Sequence, residues 1–225
     1  HRYSISDGIQ DKNVLGFDIT AVPTYSDEDL RNAVALREVG ANTVSDVMES
    51  PEKRETYYHF INDVPMVRDY DNGYTRGIED YIENGHYDND DHRRAVIEDI
   101  YNKWLVQSYK GLFHGILATH SISEAISYYR LFRRSAPNLK VVALFDPTVD
   151  GEMDSTTAVI KDEALEEILE DYNTYFNQKF TVSSYASFKR DVCARLAHKL
   201  QYRSNDVEID TDKYIDIVIV VKQLL

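Results

Sequence analysis

Three short apolar runs decide what the second half of this 225-residue chain can become: Leu112–Ala118, Leu139–Phe145 (LKVVALF) and Ile215–Val221 (IDIVIVV). Each is too short for a full helix and too continuous for a strand with one wet face, so each reads as a buried strand. Helical spacings fill the gaps. Ile97, Ile100, Tyr101, Trp104 and Ser108 set one face of a helix over 92–108. Ile122, Ala125, Ile126, Tyr129 and Phe132 set a second, ended by Pro137 and Asn138. Leu165, Ile168, Leu169, Tyr172 and Phe176 mark a helix over 161–177, and Tyr185, Phe188, Val192 and Leu196 mark one over 184–200. Buried strands alternating with helices predict an α/β domain whose mostly parallel sheet is covered on both faces.

Such sheets bind ligands beyond the carboxyl ends of their strands. Ala118-Thr119-His120-Ser121 falls at one such end, Asp146-Pro147-Thr148 at another, and whatever follows Val221 at the third. Ser121 with Glu124 is a capping-box signature. Thr119, His120 and Ser121 bring hydroxyls, a ring and backbone N–H groups to a helix N-terminus, which makes them a candidate anion site; the plainer reading is that Ser121 only caps its helix. Asp146 before Pro147 reads first as a turn former and second as a catalytic or metal-binding acid. His114 reads as a packed histidine, and Cys193, beside Val192, as a buried thiol. The chain stops just past a central-looking strand, so a truncated domain is expected.

The first half is less regular. Residues 3–25 hold the extended-looking Asn13–Thr20 and read as a linker or strand. Ser26 with Asp29 opens a helix that Gly40 ends. Residues 43–61 are helical with a break at Pro51. Residues 65–91, rich in Asp, Asn, Gly and Tyr, read as a long loop. The expected division is a helical lead-in over 1–91 and an α/β domain over 92–225.

Composition narrows the chemistry. Cys193 is the one cysteine, which rules out an internal disulfide and a thiolate zinc site and fits a reducing cytoplasm. Neither G-x-x-x-x-G-K-[ST] nor G-x-G-x-x-G occurs, and no His pair has metalloprotease spacing. No apolar run approaches the ~18 residues of a membrane span. The net charge of −14 argues against non-specific nucleic-acid binding by the chain as a whole. The charge is uneven, however: 12 basic and 22 acidic residues stand in 1–110, against 13 and 17 in 111–225. Lys179–Arg203 holds six basic residues and Asp191 alone. That segment either tracks a phosphate backbone, with Lys189 and Arg190 as candidate contacts, or pairs with the acidic half of the chain.

The ordered series LFHGILATHSISEAISYYRLFRR, LKVVALFDPTVD, DYNTYFNQKF, FKRDVCARLAHKLQY and IDIVIVVKQLL resembles the R (restriction and motor) subunit of type I restriction–modification enzymes. YSISDGIQDKNVLGFDIT resembles the segment leading into that subunit's second motor domain. The resemblance implies a RecA-like domain of the helicase C-terminal type behind a helical lead-in. ILATHSISEA would be helicase motif IV, with His120 where the family usually shows a second Ser, and IDIVIVVKQLL the start of motif V. It implies ATP-dependent DNA translocation and cleavage by the full subunit, with ATP and Mg²⁺ bound mainly by the first motor domain. The implied partners are double-stranded DNA and the methyltransferase and specificity subunits, in the cytoplasm. It implies nucleic-acid contacts at Thr119, His120 and Ser121, to which the basic segment adds Lys189 and Arg190, and no catalytic or metal residue here. The alternative is a free-standing α/β nucleotide- or partner-binding module. A metal-dependent hydrolase built on the acids of 69–91 lacks His partners and fixed spacing.

Overall fold

The computed structural model describes residues 10, 11, 22, 24–69, 74–83, 85–146, 155–198 and 211–221; among these, the side chains of 155–159 and 211 are not described. The chain divides into two compact units, 1–80 and 81–225. The division falls inside the 65–91 segment.

Unit 1 is built on helices with strong start signals. α1 (Asp27–Glu38) is capped by Ser26, whose Oγ accepts from the Asp29 N–H at 3.1 Å, and three acids fill its first turn. Gly40 follows it with φ +61°, a left-handed position that suits glycine. α2 (Val44–Met48) opens on a reciprocal box between Thr43 and Asp46. α3 (Pro51–Asn62) begins with its proline at the position where a missing N–H costs nothing. Leu30, Val34 and Ala35 of α1 and Tyr57 and Phe60 of α3 are buried. Arg31 joins α1 to the end of α3 by donating to the carbonyls of Phe60 (3.0 Å) and Val64 (2.6 Å).

The 65–91 segment carries more order than a loop. Asp69 and Thr75 form an antiparallel bridge, and Ile78–Tyr81 is a 3₁₀ turn. The Ile78 N–H donates to Pro65 O at 2.8 Å. A Cβ on Gly77 would stand 2.5 Å from the Val67 carbonyl carbon, so the two sides of this hairpin-like fold approach as only glycine allows.

Unit 2 opens with α4 (Asp90–Gln107), capped by Asn89. There follow β1 (Gly115–Thr119), α5 (Ile122–Ser135), β2 (Val141–Leu144), α6 (Ser155–Phe176), α7 (Tyr185–Leu196) and β3 (Ile217–Val221). The sheet is three-stranded and wholly parallel, in the order β1-β3-β2. This is the α/β architecture anticipated for a RecA-like domain, behind a helical N-terminal segment. Tyr129, Phe132, Phe145, Tyr172 and Phe188 are the largest fully buried side chains among its described residues.

Three expectations fail here for geometric reasons. β1 is not buried on both faces: Gly115 lies against Trp104, but Ile116 is 63% exposed and Ala118 is exposed too. Alternation sends 116 and 118 to the opposite face, and among the described residues β1 has a strand on one side only. Cys193 is exposed, because the core stripe of α7 runs through Phe188, Val192 and Arg195 and the next residue after Val192 turns ~100° away. Tyr101 is likewise exposed; the buried face of α4 is the narrower set Arg93, Ile97 and Trp104. Among the described residues, no helix is long and apolar enough to cross a membrane.

Arg195 is the charged centre of this core. It is 3% exposed. Its Nε donates to Tyr172 Oη and Asp191 Oδ2, both at 3.0 Å, its Nη1 donates to Lys213 O at 3.0 Å, and its guanidinium lies 3.9 Å from the Phe176 ring centroid. Arg195→Ala removes the guanidinium that neutralises the Asp191 carboxylate, leaving its charge uncompensated beside Tyr172, and should cost roughly 3–5 kcal/mol in a urea unfolding series, whereas exposed Lys189→Ala should stay within about 0.5 kcal/mol.

Candidate functional site

Parallel pairing brings the strand tips to one border. Thr119 stands opposite Val221, and Leu144 opposite Val220. The two segments read as ligand-facing, 118–121 and the end of the third strand, therefore lie side by side.

Thr119 is 4% exposed, and its hydroxyl lies 3.1 Å from Val220 O and 3.3 Å from Ser121 O. It ties β1's tip to β3's tip and holds the turn that follows. Ser121 is the α5 N-cap: its Oγ accepts from the Glu124 N–H at 3.2 Å, leaving its own hydroxyl hydrogen for another acceptor. The returning arm of the box is displaced by one residue. Glu124 Oε2 accepts from the His120 backbone N–H at 2.8 Å and stands 2.6 Å from His120 Nδ1. Glu124 is mostly covered while the His120 ring stays exposed. An internal carboxylate thus already holds part of the anion-friendly turn, and the exposed groups are the His120 ring and Ser121.

The start of α4 lies close by. Burial lowers the His92 pKa, which Glu124 partly offsets. Burial, with the Glu124 charge adding, pushes the Tyr128 hydroxyl up to about 12. Arg93 is buried and held by Asp88 and by Asp90.

At the end of β2 the Tyr185 hydroxyl donates to Phe145 O, anchoring the first residue of α7 to the same border. Burial raises the pKa of that hydroxyl to about 12, so it remains a donor at physiological pH. Lys189 and Arg190 follow within two turns and are exposed. Arg190 folds back toward the start of α7, with Nη2 donating to Ser187 Oγ (3.0 Å) and Nε to Ala186 O (3.3 Å). Asp146 is exposed on this border; Pro147 and Thr148 lie outside the described residues. His114 precedes β1, half-buried, 6.3 Å from the His198 ring, and burial, with His198 adding, lowers its pKa. It is a packed histidine. Among the described residues no group of three or more His, Cys, Asp or Glu could hold a metal.

Two roles escaped the sequence reading. Glu124 grips His120, a link written in the i, i+4 spacing. Arg195, counted with the basic segment, belongs to the core; its spacing of seven from Phe188 was the available signal.

A family model described as type I restriction enzyme subunit R domain 3 matches residues 111–225. The match spans every strand of the sheet together with α5, α6 and α7. No curated protein matches the chain. Ser121→Ala should lower unfolding stability by about 1 kcal/mol through loss of the α5 cap, and Ser121→Asp, which can still cap, should recover most of it in the same denaturant titration.

Proposed function

The chain belongs to the family of type I restriction enzyme R subunits, and from that premise we propose that residues 81–225 serve as the second RecA-like lobe of the subunit's ATP-driven DNA motor. The observation that carries the reading is the shared border: the segments resembling motifs IV and V are neighbouring parallel strands whose tips meet at Thr119 and Val221. A motor lobe needs such a border, because its strand tips must face both the DNA track and the opposite lobe.

In this reading Ser121 and the His120 ring meet the sugar–phosphate backbone, and Thr119 positions them through its bond to Val220. Lys189 and Arg190 add positive charge from α7. The chain contains no G-x-x-x-x-G-K-[ST], so ATP and Mg²⁺ would be held mainly by the first lobe. What this lobe does is grip DNA and present its border to the nucleotide site; on its own it neither hydrolyses ATP nor cuts DNA. The working assembly would include the methyltransferase and specificity subunits, act on double-stranded DNA and reside in the cytoplasm. Its acidic balance then has a use, since affinity for DNA arises from local patches rather than from overall charge.

The double variant Lys189→Ala/Arg190→Ala, made in the full R subunit, should flatten the dependence of log K for duplex DNA on log salt by about 2. An unchanged slope would remove α7 from the DNA path. DNA-stimulated ATPase activity in the purified 225-residue chain would overturn the assignment of hydrolysis to another lobe.

A further inference from the structure

The His120 ring stands at the strand border with one of its two nitrogens already committed. Nδ1 lies 2.6 Å from Glu124 Oε2, and the same oxygen accepts from the His120 backbone N–H at 2.8 Å. The Glu124 side chain is 19% exposed, that of His120 66%. An ionised carboxylate has lone pairs and no hydrogen to give, so the hydrogen between the two groups belongs to Nδ1. That contact selects the tautomer. In the uncharged ring Nε2 is then a bare acceptor, and a phosphate oxygen offers it no hydrogen. Nε2 becomes a donor when the ring takes up a proton.

Charge runs the same way. With the ring uncharged, the His120–Glu124 pair carries one negative charge and opposes a polyanion. With the ring protonated the pair is neutral, and Nε2–H can make a charge-assisted bond to a phosphate oxygen. The groups around Glu124 do not take over this change. Burial, with Arg93 and His86 adding and Glu124 opposing, lowers the pKa of His92 on α4, so His92 is uncharged at neutral pH. The Tyr128 hydroxyl, pushed up to about 12, stays protonated. Arg93 is held by Asp88 and Asp90. From β3 the neighbour of this turn is the Val220 carbonyl, which Thr119 engages; Lys222 lies outside the described residues.

We propose that His120 grips the DNA backbone as an imidazolium, so that each engagement of the strand tips takes up a proton from solution. Glu124 is the positioning residue that imposes this requirement, because it denies the uncharged ring a donor at Nε2. The proposal rests on the reading above that the strand tips meet the sugar–phosphate backbone, and it makes that grip weaken as pH rises through the range in which histidine changes charge.

The test uses the full R subunit and duplex DNA, with affinity measured at several values between about pH 6 and 8 and proton uptake counted by calorimetry in buffers of different ionisation heat. Wild-type affinity should fall with pH, by at most about tenfold per unit for one linked proton. His120→Gln, whose amide donates without titrating, should take up fewer protons and bind with a flatter pH dependence. Glu124→Gln should do the same with the ring in place, since its amide can donate to Nδ1 and leave Nε2–H on an uncharged ring. His120→Ala separates the two ways of failing. Weaker binding by the same factor at both ends of the range, with uptake unchanged, keeps the ring on DNA and overturns the proton linkage. Unchanged binding at every pH takes the ring off the DNA and overturns the reading of the strand tips together with the proposal.

Discussion

The sheet of unit 2 depends on a strand far from its partners in sequence. Among the described residues β3 is the central strand, pairing with both β1 and β2, so those two are joined only when residues 217–221 slide between them. Its seat is secured at both ends. At the amino border the Gly115 N–H donates to Asp216 O (2.7 Å), the Asp216 N–H to Lys140 O (3.0 Å), and the Lys140 N–H to Asp216 Oδ2 (2.7 Å). Burial raises the pKa of this Asp216 carboxyl, which the Lys140 N–H and ammonium counter. At the carboxyl border Thr119 closes onto Val220, a contact 101 residues apart in sequence. Closing a loop of that length carries an entropic cost, which the burial of a nearly covered strand helps to offset. The continuous run IVIVV supplies that burial.

Around the sheet, a tyrosine, a carboxylate and an arginine are arranged twice in the same way. Tyr129 donates to Asp171, which also holds Arg133; Tyr172 donates to Asp191, which also holds Arg195. In each case a tyrosine contributes its ring to the core while its hydroxyl satisfies a carboxylate that an arginine neutralises. The first set fastens α5 to α6, and the second fastens α6 to α7. Local charge counts therefore mislead in this chain, because part of the basic segment 179–203 is consumed inside the protein.

What could be read from the sequence was whatever a single period or cap encodes. The strands IVIVV and VVAL, the Ser121 cap and the helix through Tyr172 and Phe176 follow from runs and spacings alone. β1's open face was not legible, since nothing in GILAT says that the third strand will pair on one side and leave Ile116 uncovered. Cys193 was misread because its neighbour Val192 is core, while helical rotation separates the two. The bridge between Asp69 and Thr75 was hidden by a polar composition that reads as loop, although Gly77 marks a close backbone approach. At the candidate site, the sequence singles out Thr119, His120 and Ser121 together as candidates. Their division of labour was not legible, because it depends on which acceptors the β3 tip and Glu124 place beside them.

That division bears on how an acidic domain would grip a polyanion in the motor role proposed above. A donor already fixed by the protein loses less conformational freedom on binding than one that must be ordered by its ligand. Arg190 is folded back onto Ser187 and Ala186, toward the end of α7 that Tyr185 ties to the strand border, so its guanidinium is largely positioned in advance. Lys189 beside it is exposed, a point charge on a flexible stem that would adjust to a phosphate placed there. His120 is fixed through Glu124, which also places a negative charge beside any incoming phosphate. In the proposed reading that repulsion would weaken the static hold at the strand tips, while α7 would provide attraction nearby. A lobe that had to release its track after every step would be served by this balance, since a border lined only with cations would hold DNA too firmly to move along it.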